Sequence, residues 1–197
     1  MPNVSKGAHR FYKMRTERLY RAVPTLDLRR KQLSRELLAW EEAIEALARR
    51  REALTLRMRE NPHPEVERIV SVERIDTAEM NIAGVALKKV RDVAYRIEAY
   101  SFLMTQPSFD FFVELKKEVL KADAELDVMK RSLAVLVEEL TITTQRINLF
   151  EKRLIPQYVE QMRYIRGRLE DNERASVMVA KIAQREMLLE QSTAESA

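Results

Sequence analysis

The sequence predicts a mainly α protein. Its N- and C-terminal helices form a long antiparallel two-helix coiled coil, and a short β-hairpin with a small helical and aromatic region lies at the connecting end. Two long seven-residue repeats of apolar residues predict the coiled coil. A β-branched stretch between them predicts the hairpin. The composition agrees, because 34% charged residues with only 3 glycines and 6 prolines among 197 residues is typical of long helices.

The first helix is predicted over residues 6–60. Its seam has only three polar interruptions and reads Tyr12, Thr16, Leu19, Val23, Leu26, Arg30, Leu33, Leu37, Trp40, Ile44, Leu47, Arg51, Leu54 and Met58. Such a helix is about 80 Å long at about 1.5 Å per residue, so it needs a partner helix along its length. Pro24 lies inside the repeat, where the sequence allows either one bent helix or two abutting ones.

The second long helix is predicted over residues 114–190, and the polar tail over residues 191–197 is expected to be disordered. Its seam alternates four-residue and three-residue steps through Leu115, Val119, Ala122, Leu126, Met129, Leu133, Leu136, Leu140, Thr143, Ile147, Phe150 and Leu154. The shared period means that the two helices can pair side by side. After Ala175 the seam weakens to Val179, Ala183 and Glu186.

The repeat breaks next to Pro156. After Leu154 the next apolar positions are Tyr158 and Met162, so two additional four-residue steps intervene before the alternation resumes. A stutter of this kind locally unwinds a supercoil. The proline also removes the backbone hydrogen bond to the carbonyl of Lys152, so we expect the helix to bend here.

The connecting region is predicted over residues 61–113, with the hairpin at about 69–93. The motif Asn61-Pro62-His63-Pro64 ends the first helix, because each proline disfavours helical geometry in the preceding residue. Asn81 and Gly84 supply turn residues between two β-branched stretches. A two-stranded hairpin is marginal alone, so it must lie against the coiled coil or a partner protein. An aromatic cluster is expected beyond it, formed by Tyr95, Tyr100, Phe102, Phe109, Phe111 and Phe112.

The residue types and motifs that the sequence lacks exclude several classes of function. Cysteine is absent, which excludes disulfides and thiol catalysis, and His9 and His63 are the only histidines. No phosphate-binding glycine loop, metalloprotease motif or nucleophile elbow occurs, so neither a cofactor nor catalysis is expected. No apolar run approaches the roughly 20 residues of a membrane span, and no signal peptide is recognisable. We expect a cytoplasmic protein without direct membrane insertion.

Charge is distributed unevenly along the chain. The net charge is +4, yet the first 35 residues hold ten lysines and arginines against Glu17 and Asp27 alone. A basic segment of this kind favours an acidic or polar partner. The aromatic platforms and base-reading motifs of nucleic-acid-binding proteins are absent, so no nucleic-acid partner is expected.

Three segments resemble one protein family. The first is TTQRINLFEKRLIP at residues 143–156, together with Ile165, Leu169, Glu173, Arg174 and the Lys181-Ile182 pair. The others are PTLDLRRKQL at residues 24–33 and NIAGVAL at residues 81–87. Together they are similar to the D subunit of the archaeal and bacterial V-type ATPases. Two departures affect local detail: Pro24 has no counterpart in many archaeal members, and Lys88-Lys89 stand where a proline is usual.

The resemblance implies a central rotor shaft inside a ring of alternating catalytic and non-catalytic nucleotide-binding subunits. It also implies contacts with the F subunit and with the funnel-like subunit above the membrane ring. We expect the chain termini inside the ring and the hairpin outside it, near the membrane side. The residues assigned to interfaces or mechanics on this basis are Arg30, Lys31, Ile82, Gly84, Val85, Arg146, Asn148, Glu151, Pro156 and Lys181. Two alternatives stay open, a structural coiled-coil adaptor and a basic nucleic-acid-binding rod.

Overall fold

The secondary structure alternates two long helical stretches with one hairpin. The computed structural model describes residues 4–60, 63–99 and 109–194, and their side chains apart from those of Pro64 and residues 188–194. In chain order the elements are α1 (Lys6–Glu60), α2 (Pro64–Ile69), β1 (Val70–Ile82), β2 (Val85–Ile97), α3 (Phe109–Leu149), a π-helical segment (Phe150–Leu154) and α4 (Ile155–Ala194). The prediction of a mainly α coiled-coil protein with a β-hairpin is confirmed.

The chain divides into two units. The hairpin unit is Leu28–Thr144, and the terminal unit consists of Met1–Asp27 and Gln145–Ala197. In the hairpin unit, Arg29 of α1 pairs with Glu139 of α3, whereas Arg51, further along α1, pairs with Asp123, which comes earlier in α3. The two helices are therefore antiparallel within this unit.

The helices of the terminal unit are antiparallel as well. Lys6 of α1 pairs with Glu173 of α4 at 3.4 Å, while the rings of Tyr12 and Tyr158 have centroids 5.6 Å apart. The α1 helix starts with a capping interaction, because the backbone N–H of Ala8 donates to the Ser5 hydroxyl oxygen at 3.0 Å. Within this unit too, the helices pair as the apolar repeats predict.

The predicted seams correspond to the buried faces of the helices. Every seam position named above for α1 and α3 is buried or half-buried, including the polar interruptions Thr16 and Arg30. Thr143 is also fully buried, at 1% exposure. Pro24 lies inside α1, which is one helix through this position. The Thr25 hydroxyl donates to the Arg21 carbonyl at 3.1 Å, a local bond typical of helical threonines.

The hairpin is longer than the sequence indicates, with 13 residues in each strand. The strands extend to Ile97, beyond the predicted end at about residue 93. The sequence did not indicate this length because β-bulges between Val72 and Arg74 and between Asp76 and Thr77 interrupt the two-residue alternation that marks a strand. The turn is Ala83-Gly84, with positive φ angles of 51° and 81° that are typical of a type I′ turn. Asn81 lies in β1, and its side-chain oxygen accepts a hydrogen bond from the Gly84 N–H at 2.9 Å.

The region at the base of the hairpin is helical and aromatic. Pro64 starts α2, where its missing N–H has no cost, and α3 begins at Phe109, five residues before the predicted start at 114. Leu54, Val66, Val70, Phe109, Phe112, Val113, Leu115 and Val119 form one core cluster, here called the base cluster. The His63 ring lies 4.2 Å from that of Phe112, so this turn residue also packs. Phe111 is exposed, and Tyr100 and Phe102 lie outside the described residues.

The last helix extends further than the sequence indicates. The α4 helix continues past residue 190 to Ala194, so the first part of the segment predicted as a disordered tail is helical. Residues 195–197, like Asn61, Pro62 and the segment 100–108, lie outside the described residues. The α4 helix therefore extends beyond Glu186, the last seam position that the sequence shows.

Two glycine substitutions test the backbone assignments, because the same Gly→Ala change should have opposite signs. At Gly84 the new Cβ would meet only the Arg29 Nη2 atom at 3.9 Å, so the cost comes from the positive φ and should be about 1 kcal/mol. At Gly167, inside α4 with nothing within 4 Å of the new Cβ, the change should stabilise by about 0.5–1 kcal/mol.

Thermal unfolding followed by circular dichroism measures both changes. A change of about 1 kcal/mol corresponds to a Tm shift of roughly 2–4 °C for a chain of this size. Equal signs for Gly84→Ala and Gly167→Ala would contradict the turn geometry.

Candidate functional site

The hairpin lies on the coiled coil through its second strand. Val85, Leu87 and Val93 of β2 are buried, whereas Val70 is the one buried residue of β1. Val85 and Leu87 join Leu33 and Trp40 of α1 and Leu136 of α3 in a core cluster, here called the tip cluster. Because each buried apolar side chain contributes roughly 1.5–3 kcal/mol, this contact fixes β2 far more strongly than the ladder with β1 could.

Ser132 of α3 binds the backbone of β2. Its hydroxyl accepts a hydrogen bond from the Lys88 N–H at 3.2 Å and donates one to the Lys88 carbonyl at 2.8 Å. Both backbone groups of Lys88 therefore point away from β1, as expected for a residue in a non-hydrogen-bonded pair of an antiparallel ladder. Ser132 is 4% exposed, and its hydroxyl pairs with two backbone groups that the ladder with β1 leaves without a partner.

Tyr95 makes a second polar contact nearer the base of the hairpin. Its hydroxyl donates to the Lys117 carbonyl of α3 at 3.1 Å. Burial raises the pKa of Tyr95 above its ordinary value, and the nearby Asp92 carboxylate raises it further. A phenol is protonated at neutral pH even with its ordinary pKa, so the raised pKa extends the pH range over which Tyr95 keeps its donor toward the alkaline side.

Arg29 makes the third polar contact, at the turn. Its Nε donates to the Ala83 carbonyl at 3.1 Å, and its Nη2 donates to Glu139 Oε2 at 3.1 Å. One guanidinium thus joins α1, the hairpin turn and α3. The three contacts follow one another along α3 at Lys117, Ser132 and Glu139, so β2 runs antiparallel to this helix.

The hairpin residues singled out from the sequence lie at this contact. Val85 is 5% exposed inside the tip cluster, and Ile82 packs partly against the same cluster. Of the two neighbours that the sequence left open for them, the coiled coil is the one that they contact. Gly84 is exposed and forms the second residue of the turn.

The other candidate residues are distributed along the helices. Arg30 is half-buried and Lys31 is exposed, and each interacts with other residues of the chain. The remaining candidates are all exposed, namely Arg146, Asn148, Glu151, Pro156 and Lys181. The sequence missed Arg29, Ser132 and Glu139, and the adjacent basic run at residues 29–31 was the one signal that could have indicated the first of them.

Pro156 is the second residue after the π-helical segment of the terminal unit, with Ile155 between them. The N–H of Ile155 bonds to the Phe150 carbonyl, five residues back, so the segment holds one more residue per turn than an α-helix. This wide turn accommodates the stutter and also shifts the register. Ile155 is buried at 8% exposure, whereas Leu154, the residue that the repeat places on the seam, is half-buried.

A second apolar stripe runs along α3, away from the seam. Val128, Val135 and Ile142 recur at seven-residue spacing, and the last two are 41% and 38% exposed. A groove of about 370 Å³ lies beside this stripe, between α3 and the hairpin. Its lining includes the exposed Ile75 of β1 and the basic residues Lys88 and Arg131. An exposed apolar stripe with a basic rim is typical of a protein interface.

Residues 4–60, 63–99 and 109–194 contain no group of three or more histidine, aspartate or glutamate side chains placed to hold a metal ion. Over the same ranges, no helix combines the length and apolar character that crossing a membrane requires.

Comparison with known proteins gives one consistent family. The D subunit of the V-type ATP synthase of Borreliella burgdorferi is 29% identical over 174 residues, which cover 85% of this chain and 86% of the relative. The protein of the same name from Chlamydia pneumoniae is 34% identical over 124 residues, 63% of this chain and 59% of that protein. The D subunit of the A-type ATP synthase of Thermococcus gammatolerans is 29% identical over 182 residues, with coverages of 87% and 81%.

The family model that describes the D subunit of ATP synthase matches residues 10–185. This range contains nearly all of α1, the whole hairpin, α3, the π-helical segment and most of α4. Since one family model covers all these elements in order, the chain belongs to the family of ATP synthase D subunits.

Proposed function

We propose that this chain is the non-catalytic central rotor shaft of a V-type ATPase or ATP synthase. It couples ATP hydrolysis or synthesis in a ring of catalytic and non-catalytic nucleotide-binding subunits to ion translocation. The observation that carries the proposal is an antiparallel coiled coil with a hairpin fixed along one helix, in a chain of the D-subunit family. The shaft is cytoplasmic and peripheral to the membrane.

Asymmetry is what a rotor must supply. Three identical catalytic sites in a symmetric ring can differ only if the object between them presents a different face to each. In the hairpin unit, β2 covers α3 at Ser132 while the stripe at Val135 stays open, so the faces of this unit are unlike one another. A continuous apolar seam keeps such a rod from fraying under torque.

The orientation proposed from the sequence stays the same, with the chain termini inside the ring and the hairpin outside it. Residues 171–187 of α4 are all exposed, although they include Val177, Met178, Val179 and Ile182. Apolar side chains exposed at this density favour an enclosing partner. A ring of subunits around this part of α4 would cover them on every side.

Reconstitution tests the proposal. The chain should assemble stably with the two large nucleotide-binding subunits and raise their multisite ATPase activity, whereas by itself it should neither bind nor hydrolyse ATP in calorimetric and turnover assays. Nucleotide binding by the isolated chain contradicts the non-catalytic assignment. An adaptor would bind without affecting turnover, and a nucleic-acid-binding rod would instead bind DNA with a steep dependence on salt.

The F subunit and the funnel-like subunit are the partners proposed for the hairpin unit. The exposed surface suited to them is the groove between Ile75 and Val135, since Ile82 and Val85 already pack within the chain. An aspartate at Val85 would therefore disturb the tip cluster itself. An aspartate at the exposed Val135 would act on the partner instead.

Val135→Asp should weaken binding of the F subunit by roughly tenfold or more, because it places a charged carboxylate where the interface would bury an apolar side chain. Val137→Asp is the matched control, since Val137 is 45% exposed on the same helix but lies off the stripe. Titration calorimetry measures both affinities, and circular dichroism checks that helicity is unchanged. If only Val137→Asp weakened binding, the docking surface would lie on another face of α3.

Pro156→Ala separates stability from function. The π turn before Pro156 already relieves part of the ring clash, so the gain from a restored N–H donor should be about 1 kcal/mol rather than the roughly 3 kcal/mol of a regular helix. The Tm of the isolated chain should therefore rise by roughly 2–4 °C. Turnover of the assembled complex should fall, because the wide turn would revert toward α-helix and rotate the following seam.

Calorimetry of the chain and ATPase assays of the complex give the two readouts. Unchanged turnover would mean that the wide turn is merely tolerated by the assembly. A lowered Tm would mean that local packing depends on the proline ring.

A further inference from the structure

We infer that Arg29 is a positioning residue that fixes the hairpin turn on the coiled coil, and that Glu139 holds the Arg29 guanidinium in the orientation this requires. The contact itself is independent of the function proposed above. Its consequence for coupling rests on that function. Neither Arg29 nor Glu139 is among the residues that the sequence assigns to an interface.

The geometry places one guanidinium between three elements. The Arg29 Nε lies 3.1 Å from the Ala83 carbonyl oxygen, and Nη2 lies 3.1 Å from Glu139 Oε2. The two side chains are 30% and 35% exposed, so the ion pair is partly shielded from water. Hydrogen bonds to charged groups are stronger than neutral ones, and partial burial reduces their screening by salt.

The chemistry of this contact requires an arginine. The planar guanidinium presents donors in a rigid fork, so its Nε can donate to the Ala83 carbonyl while its Nη2 donates to the Glu139 carboxylate. A lysine ammonium is a point charge that cannot hold both acceptors with the same geometry. The Ala83 carbonyl belongs to a turn residue outside the strand ladder, and Arg29 supplies a donor for it.

The contact acts on the turn rather than on the whole hairpin. Further along β2, Lys88 is held by Ser132 and Tyr95 is held by the Lys117 carbonyl. Val85 and Leu87 pack in the tip cluster against apolar side chains, so their burial does not depend on the guanidinium. Loss of Arg29 should therefore release the turn while the rest of β2 stays in place.

Hydrogen exchange of the full chain, resolved by mass spectrometry, tests this inference. In Arg29→Ala, amides at residues 83–86 should exchange roughly tenfold faster, as expected when one charge-assisted hydrogen bond is lost. Amides at residues 88–97 should be unchanged. Arg29→Lys should remain close to Arg29→Ala, because the fork is missing.

Matched controls lie beside both members of the pair. Arg35→Ala removes an exposed arginine from the same helix, and Glu138→Gln neutralises the exposed neighbour of Glu139. Neither should alter exchange at the turn. Glu139→Gln should accelerate it, and the double variant Arg29→Ala/Glu139→Gln should exchange no faster than Arg29→Ala, since Glu139 acts through the arginine.

Two outcomes would overturn the inference. One is exchange at the turn that is the same in Arg29→Ala as in Arg35→Ala. The other is equal acceleration across residues 83–97, which would make Arg29 a support for the whole hairpin.

Arg29→Ala should also lower turnover of the reconstituted complex without altering its assembly. If the unaltered chain fails to assemble, the proposed function fails, but the exchange result still decides the role of Arg29.

Discussion

The hairpin can bury only one side of itself, and this constraint determines how the hairpin unit is arranged. A two-stranded ribbon has too little apolar area to be stable alone, so one strand must join the core of another element. Here β2 places Leu87 at 1% exposure beside Leu33 and Leu136, which are both fully buried. The coiled coil therefore contributes the core of the hairpin, and the polar contacts of Ser132, Tyr95 and Arg29 follow from that placement.

The seams could be predicted from the sequence because their information is local. A four-three spacing of apolar residues fixes which side of a helix is buried, whatever the partner is. Even Arg51, which interrupts the predicted seam, is half-buried, and its Nε donates to Asp123 Oδ1 at 2.8 Å. The contacts of Arg29 could not be predicted in this way. They join residues 54 and 110 positions apart in sequence, and a local sequence pattern carries no information about pairs so far apart.

The sequence correctly located the disturbance of the helix near Pro156 but did not identify its type. The stutter and the proline together located a disturbance of the helix, and a π-helical segment ends at Leu154, two residues before Pro156. Sequence spacing could not distinguish a bend from a wide turn, because both interrupt the repeat at the same place. The burial of Ile155 instead of Leu154 is the consequence, since one additional residue in a turn rotates every later side chain. A seam extrapolated across such a segment is therefore displaced by one position.

The exposed strand β1 supports our proposal that the groove at Ile75 and Val135 is the docking surface of the hairpin unit. A free strand edge can pair with any extended chain, and proteins limit this with bulges and charges. The edge of β1 has both, with a bulge at Glu73 and the carboxylates of Asp76 and Glu79. At the other edge of the hairpin, the Ser132 hydroxyl is already hydrogen-bonded to both backbone groups of Lys88 in β2. With both edges made unsuitable for strand addition, a partner would gain most by covering the apolar side chains in the groove, and the basic rim would favour a partner with acidic groups around its apolar surface.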